Sequence, residues 1–293
     1  MYISDFKYFK PTSLDEAVKT LSGCVNGTVL AGGTDLLVEI KNGLRKAGEI
    51  VSLAKVSELK TIYVTQEKVE IGACITHNEL IKSPVINEFL PALSEAASKI
   101  GSHQIRNVGT VGGNLCTGAS CADTAPVLMA YDAVVELLSV HGVRQVALKN
   151  FFFNHHKTNI KNNEIMHKII VPISKNQRTA TFEKFGLREA GSISVVSVAV
   201  ALEFNENICT KANVVIGACA PTPVLCIFAG NLFVGKNKPE ISDDELLETA
   251  AKAAVEASIP IDDIRASAEY RRRLLYVLTQ KAAAEAIKRA NVN

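Results

Sequence analysis

Two short stretches of this chain set a pair of glycines beside hydroxyl and amide side chains. One is Ala31-Gly32-Gly33-Thr34-Asp35; the other is Thr110-Val111-Gly112-Gly113-Asn114. Glycine has no Cβ to block an approaching group and reaches positive φ freely. Successive backbone N–H groups at a turn or helix start make a concavity that attracts anions. One such turn is common and means little. Two in one unit point to a diphosphate gripped from both sides, with Gly112 and Gly113 presenting N–H groups opposite Gly32 and Gly33. The second pair lies within IRNVGTVGGNLCTGASCADTAP, Ile105 to Pro126, which holds two cysteines and one acid, Asp123. Glycine costs a helix roughly 1 kcal/mol relative to alanine, so no ordinary helix is expected there. Neither turn has the GxGxxG or GxxxxGK[ST] pattern, which disfavours a doubly wound NAD domain and a nucleotide triphosphatase.

Other reactive side chains offer less. Cys24, Cys74, Cys116, Cys121, Cys209, Cys219 and Cys226 are odd in number and irregular in spacing, against a disulfide framework. Cys116 and Cys121 lack the further thiolates that an iron–sulfur cluster needs. Small buried thiols in a reducing compartment are expected instead. His77 and His103 lack the spaced partners of a metal site and read as surface or hydrogen-bonded residues. His155 and His156 fall in a polar segment and read as solvated. Asp123 taken alone is a helix N-terminal acid. Lys184 taken alone is an outward, solvated strand residue, although Phe182 and Phe185 offer cover for its stem. No nucleophile–base constellation stands out.

The elements that must position these residues follow from pattern. Ser13 and Glu16 have capping-box spacing before a helix that stops at Gly23, and Thr76 and Glu79 have the same spacing. TVLAGGTDLLVEIKNG reads as strand, glycine turn and helix, with Gly43 as breaker. EIVSL reads as a buried strand, and LKTIYVTQEKVEIGA as a hairpin. Helices are expected over Phe89–Ile100 and near Ala125–Tyr131, then a hairpin turning at His141–Gly142. Asn154–Asn163 reads as an exposed loop, and NEIMHKIIVP as a strand closed by Pro172. Beyond residue 176 come three β-rich runs and two helices, the first capped by Ser242. The order is strands then helices, an α+β pattern.

With 293 residues, 47% of them hydrophobic, the chain suffices for two domains, 1–176 and 177–293. A net charge of +2, from 32 basic and 30 acidic residues, gives no case for nucleic acid or an anionic membrane. No basic, apolar leader stands at Met1 and no apolar run is long enough to span a bilayer, so a soluble cytoplasmic protein is expected.

LAGGTDLL followed by IRNVGTVGGNLCTGASCADTAP resembles the FAD-binding medium subunits of the molybdenum hydroxylases. That family includes the flavin subunits or domains of xanthine, carbon monoxide and nicotinate dehydrogenases. The resemblance covers nearly the whole chain. The family's T-x-L-x-x-x-E appears as Thr158-Asn159-Ile160 with Glu164, and its I-x-I/V-P as Ile169-Ile170-Val171-Pro172. Its Phe-x-Lys strand appears as Phe182-Glu183-Lys184, and its EYRR helix at Glu269–Arg272. The resemblance implies an α/β FAD-binding domain of the vanillyl-alcohol-oxidase type, then a C-terminal α+β domain covering the flavin. It implies that Val29, Leu30, Ala31, Gly32, Gly33, Thr34, Asp35 and Leu36, with Thr110, Val111, Gly112, Gly113 and Asn114, surround the pyrophosphate. Gly101 would approach the nucleotide and Asp123 would accept a bond from its ribose. Ile160, Met166 and Lys184 would lie near the isoalloxazine ring or its linker.

By the same resemblance FAD is noncovalent and supplies the redox chemistry, while protein groups bind and orient it. This chain would pass electrons from the 2Fe-2S clusters of an iron–sulfur subunit to NAD(P) or another soluble acceptor. A molybdenum-cofactor subunit would hydroxylate a nitrogen heterocycle such as nicotinate, with xanthine close behind. A free-standing flavin oxidase and a non-enzymatic scaffold are the rival readings. Two positions depart from the family pattern: Ser192 stands where Asp is frequent, and Cys121 where proline or a small residue is usual. The cysteine-rich insertion of the benzoyl-CoA-reducing branch is absent, so no cluster is expected in this chain.

Overall fold

The structure is a computed structural model that describes residues 5–46, 48–189 and 191–292. The chain opens with β1 (Lys7–Phe9), α1 (Leu14–Gly23), β2 (Gly27–Leu30), α2 (Leu36–Lys41) and β3 (Glu49–Ser52). The three strands form a parallel sheet in the order β1-β3-β2. Ser13 caps α1 by accepting from the Glu16 N–H, while the Glu16 carboxylate turns outward to Thr12. Leu14, Ala17, Val18 and Leu21, on one face at helical spacing, are buried.

A hairpin of β4 (Ile62–Val64) and β5 (Lys68–Gly72) precedes six short helices. α3 (His77–Lys82) carries the full capping box between Thr76 and Glu79. The single helix expected over Phe89–Ile100 is instead α4 (Pro84–Phe89) and α5 (Pro91–Ser98), parted at Leu90. Pro91 has no N–H to continue the first helix but suits the first turn of the second. The glycine-rich stretch is itself largely helical, contrary to expectation: α6 (His103–Val108), α7 (Val111–Thr117) and α8 (Thr124–Ala130). Ser102 and Thr110 cap the first two with their hydroxyls, and Gly118 closes α7 at φ 63°. Tertiary packing outweighs weak intrinsic propensity in helices this short.

β6 (Val134–Ser139), β7 (Gly142–Ala147), β8 (Phe152–Asn154), β9 (Lys157–Thr158) and β10 (Ile165–Pro172) follow. The antiparallel sheet runs β4-β5-β10-β6-β7, and β8 pairs with β9. That small ladder occupies part of the segment expected to be a loop.

The C-terminal part is β11 (Gln177–Gly186), β12 (Ser194–Asn205), β13 (Ile208–Gly217) and β14 (Val224–Leu225), an antiparallel sheet in that order. Then come α9 (Ile227–Asn231), α10 (Lys238–Ile241), α11 (Asp244–Glu256) and α12 (Ala268–Val292). Ser242 ends α10; the cap of α11 is Asp243, whose carboxylate accepts from the Glu245 N–H. Strand alternation explains how the two parts share a core. Val198, Val200, Leu202 and Phe204 face the α11–α12 side, while the small Ala199 and Ala201 face the N-terminal helices. Small side chains on that face let α5 and α8 lie close against the sheet, and every residue of α8 is buried.

Candidate functional site

β2 ends at Leu30, and the chain turns through Gly32 and Gly33 into α2. A Cβ on Gly32 would stand 1.9 Å from the Val108 carbonyl oxygen, and Gly33 has φ 75°. Both positions therefore require glycine. Among the described residues, the N–H groups of Gly32, Gly33, Thr34, Asp35 and Leu36 meet no acceptor; the next one, of Leu37, donates to the Gly33 carbonyl at 3.2 Å. Five consecutive free donors at a helix start form an electropositive nest. Val29 and Leu30 lie in β2, paired with β3 beneath it. Asp35 makes no cap; its carboxylate accepts from the Thr117 hydroxyl at 3.3 Å and so ties this turn to α7.

The second glycine pair is built differently. The Val111 N–H donates to Ile75 O at 2.9 Å, Gly112 to Ala73 O at 2.9 Å and Asn114 to Thr110 O at 2.9 Å. The Gly113 N–H donates to the capping Thr110 hydroxyl at 3.1 Å. The Gly112 and Gly113 N–H groups, expected to face a ligand, meet acceptors of the protein in this structure. Gly112 is needed because α7 lies on the Ala73 backbone, where a Cβ would sit 2.6 Å from the Ala73 oxygen. Gly113 faces the first turn, its Cβ position 3.9 Å from that of Ala31. α7 thus brings side chains to the nest. The Asn114 oxygen accepts from Thr124 at 2.6 Å, while its amide nitrogen meets no acceptor among the described residues.

Thr124 leads to Asp123, which does not cap α8 and is not solvated. One carboxylate oxygen takes the Lys184 ammonium at 2.6 Å and the other takes the Ser194 hydroxyl. Lys184 also donates to Lys99 O at 2.9 Å, and Lys99 donates back to Phe182 O at 3.1 Å. Lys184 is thus buried rather than outward. Burial pushes the Asp123 carboxyl up, against the pull of Lys184 and Ser194. The carboxylate expected to meet a ribose thus ties together two strands of the C-terminal sheet, one through each oxygen. Gly101, at φ 45°, lies two residues after Lys99, and its carbonyl accepts from Arg106.

Ile160 is half-buried and follows the β9 segment, which packs on Gly118. The Met166 side chain packs in the core. Thr110, Asn114, Thr124, Asp123, Lys184 and Lys99 thus lie along one linked arc, with Gly101 two residues beyond it. Ala190, two residues before Ser192, lies outside the described residues.

Sequence reasoning missed two features. His77 is 2% exposed, with Nδ1 unpartnered, and burial moves its pKa down to about 4. The apolar run before it, with the capping box at Thr76, was the available signal. Arg271 is also buried, bonded to Val195 O, Ala218 O and Asp263. All seven cysteines are free, and burial pushes the Cys116 thiol up to about 12. Among the described residues no helix is long and apolar enough to cross a membrane.

The free donors of the first turn, a neutral amide on α7 and exposed apolar Ile105 and Val108 on α6 fit a ligand with a diphosphate and a flat apolar part, as FAD has. Comparison with known proteins agrees. Residues 4–174 match the family model of the FAD binding domain in molybdopterin dehydrogenase, and 180–286 that of the CO dehydrogenase flavoprotein C-terminal domain. The chain is 33% identical over 239 residues to the nicotinate dehydrogenase FAD-subunit of Eubacterium barkeri, covering 80% of this chain and 81% of that one. It is 30% identical over 285 residues to the xanthine dehydrogenase FAD-binding subunit of Escherichia coli, covering 97% and 96%. Reconstituted CO dehydrogenase from Oligotropha carboxidovorans contains a chain that superposes with TM-score 0.93 at 29% identity, covering 99% of this chain and all of that one. Two domain models in tandem and end-to-end likeness in sequence and structure lead to one conclusion: the chain belongs to the FAD-binding medium subunits of the xanthine dehydrogenase and carbon monoxide dehydrogenase family.

Proposed function

We propose that this chain is the electron-transfer subunit of a molybdenum hydroxylase acting on a nitrogen heterocycle of the nicotinate class. The observation that carries the reading is the run of five unpartnered N–H groups from Gly32 to Leu36, in a family that binds FAD. Those groups would take the pyrophosphate, with the Asn114 amide facing them from α7. Gly101 would flank the nucleotide. Ile160, Lys184 and the backbone at Met166 would line the ring or its linker, with Asp123 fixing Lys184. Bound FAD supplies the ability to accept electrons singly and release them as a pair. The protein's own work is to hold the cofactor, exclude water with the β11–β12 hairpin and set the field through Lys184.

On this reading residues 1–176 bind FAD and 177–293 cover it. The partners are an iron–sulfur subunit with 2Fe-2S clusters and a molybdenum-cofactor subunit, in the cytoplasm, with NAD(P) as acceptor. The higher identity to a nicotinate dehydrogenase subunit favours that substrate class; the fuller coverage by xanthine dehydrogenase subunits supports purines as a second reading. Purification of the native complex tests this, with flavin, iron and molybdenum content and oxidation of nicotinate and xanthine with NAD or NADP. A complex without molybdenum, or a chain that takes up no FAD, would refute it.

A further inference from the structure

Between α11 and α12 the chain runs Ile259-Pro260-Ile261-Asp262-Asp263-Ile264-Arg265. Ile259, Ile261 and Ile264 are 69%, 67% and 102% exposed. Single exposed aliphatics are ordinary, but three within six residues are not. The segment is also rigidly held. The Asp263 carboxylate accepts from the Arg265 N–H at 2.8 Å, from the Arg265 Nε at 2.9 Å and from buried Arg271 at 2.7 Å. Pro260 is buried, and the Ile259 N–H donates to Cys219 O at 2.8 Å. Asp263 is held well below the usual carboxylate range, chiefly by its bonds to Arg265, so the brace stays charged. Rigid apolar groups that need no ordering on contact are what a stable protein interface uses at its centre.

The root of this strap lies against the cofactor side of the molecule. The Ala218 N–H, next to Cys219, donates to Ser120 O at 2.8 Å. Ser120 and Cys121 run directly into Asp123, the carboxylate that holds Lys184. A body seated on the three isoleucines therefore sits beside the flavin cleft. Of the two partner subunits that the proposed function requires, the iron–sulfur subunit is the one that hands electrons to the flavin and must come close to it.

We propose that Ile259, Ile261 and Ile264 form the seat of the iron–sulfur subunit. The inference rests on the reading of this chain as the flavin subunit. Its test is the co-expressed complex carrying Ile261→Asp with Ile264→Asp. Each charge placed in a desolvated contact should weaken it about tenfold or more. The variant should keep its flavin-to-protein ratio and melting temperature, because neither side chain packs in the core, yet lose the iron–sulfur chain on size exclusion. Ile227→Asp, at a 67% exposed position on α9, should leave the assembly intact. Retention of the iron–sulfur chain by the double variant overturns the proposal. So does loss of the molybdenum subunit alone, dispersal of a self-associated form instead, or disruption by Ile227→Asp. A wild-type preparation without any iron–sulfur chain would sink the flavin-subunit reading and this contact with it. A wild-type complex that holds the chain, beside a variant that also holds it, sinks the contact only.

Discussion

Asp123→Asn should be the most damaging single change in the arc, and Lys184→Met should hurt less, in a pH-dependent way. The pair is buried, 2.6 Å apart, and links α8 of the first unit to β11 of the second. Removing one partner of a buried pair costs about 3–5 kcal/mol, because the other charge is left without compensation. With Asn at 123, the Lys184 ammonium retains only neutral acceptors such as Lys99 O. With Met at 184, the remaining group is a carboxyl that burial already pushes up despite the ammonium beside it. It can escape the penalty by taking a proton. A group whose folded pKa lies above its unfolded value contributes stability that is present at low pH and is lost as pH rises through the folded pKa. Lys184→Met should therefore approach wild-type stability in mild acid and fall behind as pH rises, whereas Asp123→Asn should not recover in acid. The double variant Asp123→Asn with Lys184→Met should cost less than the sum of the two singles. Urea unfolding of the flavin-free chain from pH 5 to 8 measures all three. Additive losses, or singles costing under about 1 kcal/mol as for an exposed pair, would refute the reasoning.

Gly33→Ala places a side chain at φ 75°, so FAD affinity should fall roughly fivefold or more while the chain stays folded; flavin fluorescence titration checks it. Gly112→Ala meets the Ala73 backbone at 2.6 Å and should lower the melting temperature of the flavin-free chain first, by about 1–3 kcal/mol of stability. His77, with a folded pKa of about 4 against an ordinary 6.5, contributes stability that is present above pH 6.5 and lost as pH falls toward 4, about 3 kcal/mol in all. His77→Gln should flatten that part of the stability–pH curve, which denaturation at pH 4, 5, 6 and 7 will show. Cys116→Ser and Cys121→Ser should keep full flavin content and change no iron content, read by absorbance and metal analysis.

Elements with local signals were legible from sequence. The capping box at Thr76 and Glu79, the hairpin turning at His141–Gly142 and the breaker at Gly43 each depend on a few adjacent residues. The glycine-rich stretch misled because propensity was weighed without packing: Thr110 caps α7 and the Ala73 strand end supports it. The long apolar run of β12 announced a buried strand, but not that its alanines face one unit and its valines the other. Asp123 and Lys184 lie far apart in sequence, and nothing local reveals that they meet. Ser194 was invisible for the same reason: a serine at a strand start carries no mark of the carboxylate it will bind.

The two glycine pairs show why a motif and its job have to be separated. Both look like anion turns in sequence. The deciding question is where the backbone donors go, since a buried or turning N–H is nearly always answered by some acceptor. At Val111, Gly112, Gly113 and Asn114 the answers are inside the protein: Ile75, Ala73 and Thr110. There glycine serves closeness between a helix and a strand end. At Gly32 to Leu36 the protein supplies no answer. Five donors converging at a helix start, tied through Asp35 and Thr117 to α7, are left for an acceptor from outside. The second pair therefore packs a helix on a strand end, and the first pair leaves its donors open. A substitution at Gly112 should register first as lost stability, and one at Gly33, on the proposed reading, first as lost flavin.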